Sequence, residues 1–351
     1  MIIKQLQLTN FRSYKKYNID FSPITVFVGP NGVGKSNILE ALTLLAYGKS
    51  YRTRHEKNLI NYGKNYAQIV AKLSDEKHIN FVISEQDQKI VKEVSINKIR
   101  CKLSKLLGII KLVIFTPESL KIITDSPGQR RKFLDICLSQ INRNYLDNLI
   151  SLRQIIKQRN ELLKTIANHK SKAKELDFWN NKLIQSSQII YAKRKTFIDY
   201  LGKYLSDYYR QISGNVDTVK INYDSKCDRI EEYINISLEK ELMAQKTLFG
   251  PHLDDFMIKL NHKPLADTGS RGEIRSIALC LKLLEIKYLK DHSKADASKE
   301  VILLLDDIYS ELDEKRRSQI AKIIKDQQTV ITTTDESFVD KIDSKVKIIN
   351  L

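Results

Sequence analysis

At 351 residues, the chain outgrows the ~250 to 300 residues at which a single hydrophobic core stops growing, so it is expected to fold into two lobes and not to be disordered. Fifty-nine Lys and Arg against 42 Asp and Glu leave a formal charge of +17, a field that draws polyanions such as nucleic acid or an anionic membrane, although a lysine-rich background composition accounts for part of such an excess. No apolar run approaches the ~18 residues needed to cross a bilayer, and the opening MIIKQLQLTNF lacks a signal-peptide core. The four cysteines, Cys101, Cys137, Cys227 and Cys280, are isolated and make neither a CxxC pair nor a metal-ligand spacing. A cytoplasmic protein without a membrane role is expected.

In chain order, residues 1 to 28 alternate apolar and polar (Ile3, Leu6, Leu8, then Ile24 to Val28), which reads as strands opening an α/β domain. The segment from Ile24 to Leu39, ITVFVGPNGVGKSNIL, passes from an apolar strand through a glycine-rich turn into an amphipathic helix. Within it, Gly29-Pro30-Asn31-Gly32-Val33-Gly34-Lys35-Ser36 fits GxxxxGK[ST] with the flanks that motif needs. Its glycines let backbone N–H groups turn toward a β-phosphate, Lys35 reaches β- and γ-oxygens, and Ser36 ligates Mg²⁺. Asn37 ends the expected cofactor-binding stretch, and the expected cofactors are ATP and Mg²⁺.

Residues 67 to 99 continue in short β-rich runs, read as an antiparallel sheet beside the nucleotide site. From about Gln129 to Gln211 there is no Pro and one Gly, Gly202, and apolar residues recur at three and four positions, the pattern of long amphipathic helices. Seventeen Lys and Arg against 7 Asp and Glu fall in this stretch, which makes it the expected DNA-facing surface. After Gly214 the β-type pattern resumes, followed by a helix from about Glu273 to Lys290, the apolar strand Val301 to Leu305, another helix, and a strand Thr329 to Thr333 that closes the chain. The expected fold is therefore α/β, a parallel P-loop sheet assembled from both ends of the sequence (1 to 115 and 246 to 351) around an inserted helical lobe (116 to 245).

The strand VILLL ends in Asp306 and Asp307. Asp306 would hold Mg²⁺ and Asp307 would orient or deprotonate an attacking water; the alternative for either is a cap on the following helix. Gly269-Ser270-Arg271-Gly272-Glu273 is a small turn opening a helix, hence an anion site at a helix N-terminus or a plain turn with its cap.

That turn resembles the signature of ABC ATPases, Ser310-Glu311-Leu312-Asp313 resembles their D-loop, and Thr332-Thr333-Thr334 stands at their switch position. More specific are LTNFRSY, GKSYRT, VIFTPESL leading into SPGQRRKFLD, FGPHLDD and LLLDDIYSELD, which resemble in order the hallmark strings of the RecF family, from Met1 to about Asp335. The resemblance implies an SMC-like ABC head without the long coiled coil. It also implies an ATP-dependent homodimer in which Ser270 and Gly272 contact the γ-phosphate held by the other copy, weak DNA-stimulated ATP hydrolysis, and work on DNA at gaps with RecO and RecR to help RecA assemble.

Two strings depart from the family's pattern. Leu253 stands where GPHRDD is usual, and the signature reads Ser270-Arg271-Gly272-Glu273-Ile274-Arg275 in place of SQGQQR. The Q-loop position is open between Glu118 and Gln129, and His252 is either a nucleotide neighbour or a structural turn histidine. Arg12, Arg52 and Arg54 are candidate contacts to nucleotide or DNA phosphates, and Arg130, Arg131 and Lys132 candidate DNA contacts; for each the alternative is a solvated surface charge. A transporter ATPase is disfavoured by the long basic insert between Ser36 and Ser270 and by the missing Q-loop glutamine and switch histidine. A structural SMC protein would need a longer insert, and a P-loop-linked nuclease an acidic metal domain after residue 335.

Overall fold

The computed structural model describes residues 3 to 53, 55 to 293, 301 to 307, 317, 324 to 334 and 346 to 351. Arg54, the D-loop-like Ser310 to Asp313 and Asp335 lie outside the described residues. The chain divides into two compact units, Met1–Ser119 with Glu285–Leu351, and Leu120–Leu284.

The first unit holds two sheets. Strands β1 (Ile3–Phe11), β2 (Tyr14–Asp20), β4 (Tyr66–Leu73), β5 (His78–Gln86), β6 (Lys89–Ile96) and β7 (Ile99–Cys101) form an antiparallel sheet in the order β2-β1-β4-β5-β6-β7. Along β4 every second residue is buried, Ala67, Ile69, Ala71 and Leu73, because successive side chains of a strand face opposite sides and only one side meets the core. β1 and β2, which alternation alone placed at the head of the α/β core, join this sheet instead.

The other sheet is parallel throughout: β14 (Val346–Asn350), β3 (Ile24–Val28), β13 (Gln328–Thr333), β12 (Val301–Asp306) and β8 (Lys111–Phe115), in that order. Every residue of β3, β12 and β13 is buried, as expected for strands covered on both faces, and this is why they read as continuous apolar runs. Thr333 does not end the sheet: β14 adds an edge strand beside β3. The stretch VKIIN is short and half-exposed, so its sequence carries too little alternation or apolar length to mark a strand. Helix α1 (Lys35–Tyr47) follows β3 and buries ten of its residues, Ile38, Leu39, Leu42 and Leu45 among them.

The second unit contains α2 (Lys121–Thr124), α3 (Pro127–Ile141), α4 (Arg143–Ala167), α5 (Leu176–Ser213), α6 (Ile230–Ile236), α7 (Leu238–Ala244), α8 (Leu265–Thr268) and most of α9 (Arg271–Asp291), with a small antiparallel sheet of β9 (Val219–Asp224), β10 (Asp255–Leu260) and β11 (Lys263–Pro264). Asn142 caps α4 by accepting from Tyr145 N, and Gly214 ends α5 in the left-handed conformation that glycine adopts without a Cβ penalty. This unit runs beyond residue 245, the limit expected from composition, to Leu284. The reason is that β10 pairs with β9 along six residues and packs on α3, so the stretch after 245 sides with the helices. Its interior is partly ionic. Arg194, 1% exposed, donates to Asp254, Asp135, the Tyr145 hydroxyl and the Pro251 carbonyl. Arg159, equally buried, makes a two-pronged bond to Glu241. Among the described residues no helix is long and apolar enough to cross a membrane.

Candidate nucleotide site

The glycine-rich turn connects the buried strand β3 to α1, so its backbone is fixed at both ends. Gly34 has φ 117°, and a Cβ there would stand 2.8 Å from the Tyr14 hydroxyl and 3.0 Å from Ser13 Oγ, so no other residue fits. Gly34 is also the N-cap of α1, with no side-chain cap and no acid in the first turn. The free N–H groups and the positive end of the helix dipole thus face the turn without a capping side chain or an acid from the helix's own first turn. Beside Gly34, the Tyr14 hydroxyl is buried without a hydrogen-bond partner among the described residues, and its pKa is pushed up to about 12 by burial and by Tyr17, so it stays a proton donor. Lys35, 6% exposed, donates to the carbonyls of Gly29 at 2.6 Å and Pro30 at 2.9 Å. Burial lowers its pKa, against the opposing fields of Asp307 and Asp306.

Parallel register brings Asp306 next to this turn, since β12 and β3 flank β13. Ser36 Oγ donates to Asp306 Oδ1 at 2.8 Å, Thr332 Oγ1 donates to the same oxygen at 2.8 Å, and the Tyr51 hydroxyl donates to Oδ2 at 2.7 Å. Burial and the Asp306 charge drive the Tyr51 phenol's pKa upward, which keeps it a donor. Asp307 sits in the left-handed region at φ 51°, tolerable for Asp, and its N–H is held by the hydroxyl and carbonyl of Thr332. Burial raises its pKa, Lys35 opposes that, and Asp306 adds to it.

The described candidate arginines, Arg12, Arg52, Arg130 and Arg131, each have a partner. Arg12 makes a two-pronged pair with Glu40, a fully buried α1 carboxylate that also accepts from Ser50. Arg52 donates to Asn37 Oδ1 at 2.9 Å, and Asn37 donates on to Ser13. In the second unit Arg130 makes a two-pronged pair with Asp255 and Arg131 donates to the Asp254 carbonyl; Lys132 has an interaction partner as well. Arg12 and Arg130 are largely buried in these pairs, whereas Arg52 and Lys132 stay exposed beside their partners. Ser270 and Glu273 form a reciprocal capping box on α9: Ser270 N donates to the Glu273 carboxylate at 2.7 Å and Glu273 N to Ser270 Oγ at 3.3 Å. A Cβ on Gly269 would lie 2.7 Å from the Leu265 carbonyl, so this turn is tightly fitted, and Gly272 follows within the first turn of α9, its carbonyl accepting from Ser276.

Glu118 lies on the segment leaving β8, a neighbour of β12, whereas Gln129 lies in the second unit. His252 Nε2 lies 3.4 Å from the Thr247 carbonyl, its Nδ1 is buried without a partner among the described residues, and burial lowers its pKa. Tyr51 and Glu40 are site residues that motif reading did not single out. Tyr51 sits inside the string GKSYRT, and only the fold shows that its hydroxyl, not the neighbouring charges, reaches Asp306.

The profile of the RecF/RecN/SMC N terminal domain matches residues 2–350. The DNA replication and repair protein RecF of Agathobacter rectalis is 34% identical over 348 residues, 95% of this chain and 92% of that protein. The chain belongs to the RecF family. The RecF of Thermoanaerobacter pseudethanolicus is 35% identical over the whole of this chain and 98% of its own length. Among solved structures, the recombination mediator protein RecF with ATP in the RecFOR pathway superposes with a TM-score of 0.87 at 31% identity, covering 96% of this chain and 92% of that one. The Smc head domain of Pyrococcus furiosus, at 20% identity and a TM-score of 0.56, shares the RecF fold, that of an SMC-type ATPase head.

Proposed function

We propose that this RecF-family chain is an ATP-switched, DNA-binding protein of cytoplasmic gap repair. The observation that carries the reading is the convergence of Ser36, Tyr51 and Thr332 on Asp306 behind the uncapped N-terminus of α1. The donor set suits the expected ligands: a hydroxyl and a carboxylate are the hard oxygen ligands Mg²⁺ takes, and the α1 N-terminus with Lys35 suits phosphates. Bound there, ATP supplies the phosphoanhydride and Mg²⁺ the charge that neutralises it. Lys35 would exchange its carbonyl partners for phosphate oxygens, Ser36 and Asp306 would hold the metal, and Asp307 would orient the attacking water and take its proton. Asp307 is one methylene shorter than a glutamate in that role, so hydrolysis is slow; the family resemblance implies that DNA stimulates it, making hydrolysis a switch.

Ser270 and Gly272 of a second copy complete the site across an ATP-dependent homodimer, and the basic helical lobe faces the DNA on which the dimer closes. The family's partners, RecO and RecR, then act with it to help RecA assemble at the gap. Light scattering with and without ATP and gapped duplex tests this reading: a shift from monomer to dimer is expected, and a monomer indifferent to both ligands would overturn it.

A further inference from the structure

The lobe's basic residues fall into two groups. Arg130, Arg131, Arg159 and Arg194 are bound to internal acceptors. The others include a set that converges on a cleft of about 590 Å³ between α4 and the chain leaving α7, lined by Arg153, Lys157, Asn160, Glu161, Lys164 and Lys246. On α4, Lys157 lies four residues and Lys164 eleven residues after Arg153, which puts the three on one stripe of the helix. Like charges one turn apart repel. Of these cations only Lys164 has a carboxylate, Glu161 at 2.9 Å; among the described residues Arg153, Lys157 and Lys246 have no acidic partner.

The cleft is rigidly built. Gln245 takes the left-handed conformation at φ 51° and turns the chain back after α7. Asn160 then clasps the returning segment, its Oδ1 accepting from Thr247 N at 2.8 Å and Thr247 Oγ1 at 2.7 Å. Beneath it, the two-pronged Arg159–Glu241 pair ties α4 to α7, so Lys246 faces the α4 stripe without rearrangement. From Arg153 to Lys164 the stripe runs roughly 16 Å at the helical rise. A DNA strand presents a phosphate every ~3.4 Å along its axis, so the stripe matches several successive phosphates of a polymer and exceeds a single phosphate group.

We propose that this cleft is a phosphate-binding site for the nucleic-acid backbone, and that it, not the internally paired Arg130 and Arg131, is where the lobe holds DNA. The inference rests on the reading that the chain binds DNA, and one experiment separates the two. Affinity for a labelled gapped duplex is measured by fluorescence anisotropy across roughly 50 to 200 mM salt, for the parent chain and for a variant carrying Arg153→Gln, Lys157→Gln and Lys246→Gln. Each lost phosphate contact lowers the log–log salt slope by about 0.9, so a slope smaller by about 2 to 3 and at least tenfold weaker binding are expected, with nucleotide affinity unchanged. A parent chain without DNA affinity would overturn both readings. A parent that binds and a variant with the parent's slope would overturn the cleft alone.

Lysine acetylation on the unmodified chain gives a readout that does not depend on the variant's folding. Duplex DNA should protect Lys157 and Lys246 while Lys220 and Lys263, exposed on the small sheet of the same unit, stay reactive. Equal reactivity at all four, or equal protection by inorganic phosphate, would overturn the assignment.

Discussion

Ser36 and Asp306 stand 270 residues apart in sequence and 2.8 Å apart in space, and Tyr51 holds the other oxygen of the same carboxylate. Asp306 is 8% exposed, so each donor matters to it: a hydrogen bond to a charged group is worth about 1.5 to 3 kcal/mol. Tyr51→Phe should keep the fold, lower its stability by about that amount, and reduce ATP hydrolysis more than ATP binding. Chemical denaturation, calorimetric titration and steady-state hydrolysis read the three quantities; unaltered hydrolysis would remove Tyr51 from the site.

Asp307 provides a pH signature. Its folded pKa is raised, first by burial, so its favourable contribution is fully present only below the ordinary carboxylate value near ~4 and is lost as pH rises through the raised value. Ionised Asp307 therefore weakens the fold at neutral pH. Asp307→Asn should melt higher than the parent chain at neutral pH, with the advantage fading as pH falls toward the carboxylate range, while hydrolysis drops about 10² to 10⁴-fold, the usual weight of a general base, and ATP binding persists. Melting curves across pH with parallel hydrolysis assays test both halves.

Lys35 and Ser270 separate the roles of the two halves of the site. Lys35→Ala should abolish ATP binding, whereas Ser270→Arg should leave binding intact and prevent dimer closure. Because Ser270 is also half of a capping box, the substitution should also cost about 1 kcal/mol of stability. Titration and light scattering on the two proteins together give a pattern that no single defect in folding reproduces.

Arg194 anchors the helical unit. Its removal by Arg194→Ala would strand Asp254, 1% exposed on its side chain, and breaking such a buried pair costs about 3 to 5 kcal/mol. Arg194→Lys should recover little of this, since one ammonium cannot reach Asp135, Asp254 and the Pro251 carbonyl as the planar fork does. Urea denaturation of the three proteins measures the order.

What the sequence made legible is what has short-range grammar. The strand, turn and helix at Gly29 to Ser36, the buried VILLL and the 3-and-4 spacing of α4 and α5 all announce themselves within a few residues, and the structure places them as read. Pairings across the chain have no such grammar. That Arg12 belongs to Glu40, Arg130 to Asp255 and Tyr51 to Asp306 is set by the tertiary fold, so the sequence names candidate residues such as the two arginines but not their partners within the chain. Alternation likewise shows that β1 is a strand but not which sheet receives it, and β14 is too short and too exposed to register.

The placement of β3 has a consequence for how the protein is made. Its partners on either side are β13 and β14, and Ile24 pairs in register with Thr329, so once made this strand waits on the order of 300 further residues of synthesis for a neighbour. At ordinary elongation rates that is roughly 15 to 60 s. During this interval an apolar strand with both edges open is a template for other chains, and contacts of such sequence separation close slowly in any case. Synthesis speed and chaperone supply, more than equilibrium stability, should therefore govern how much of the newly made chain reaches its native form.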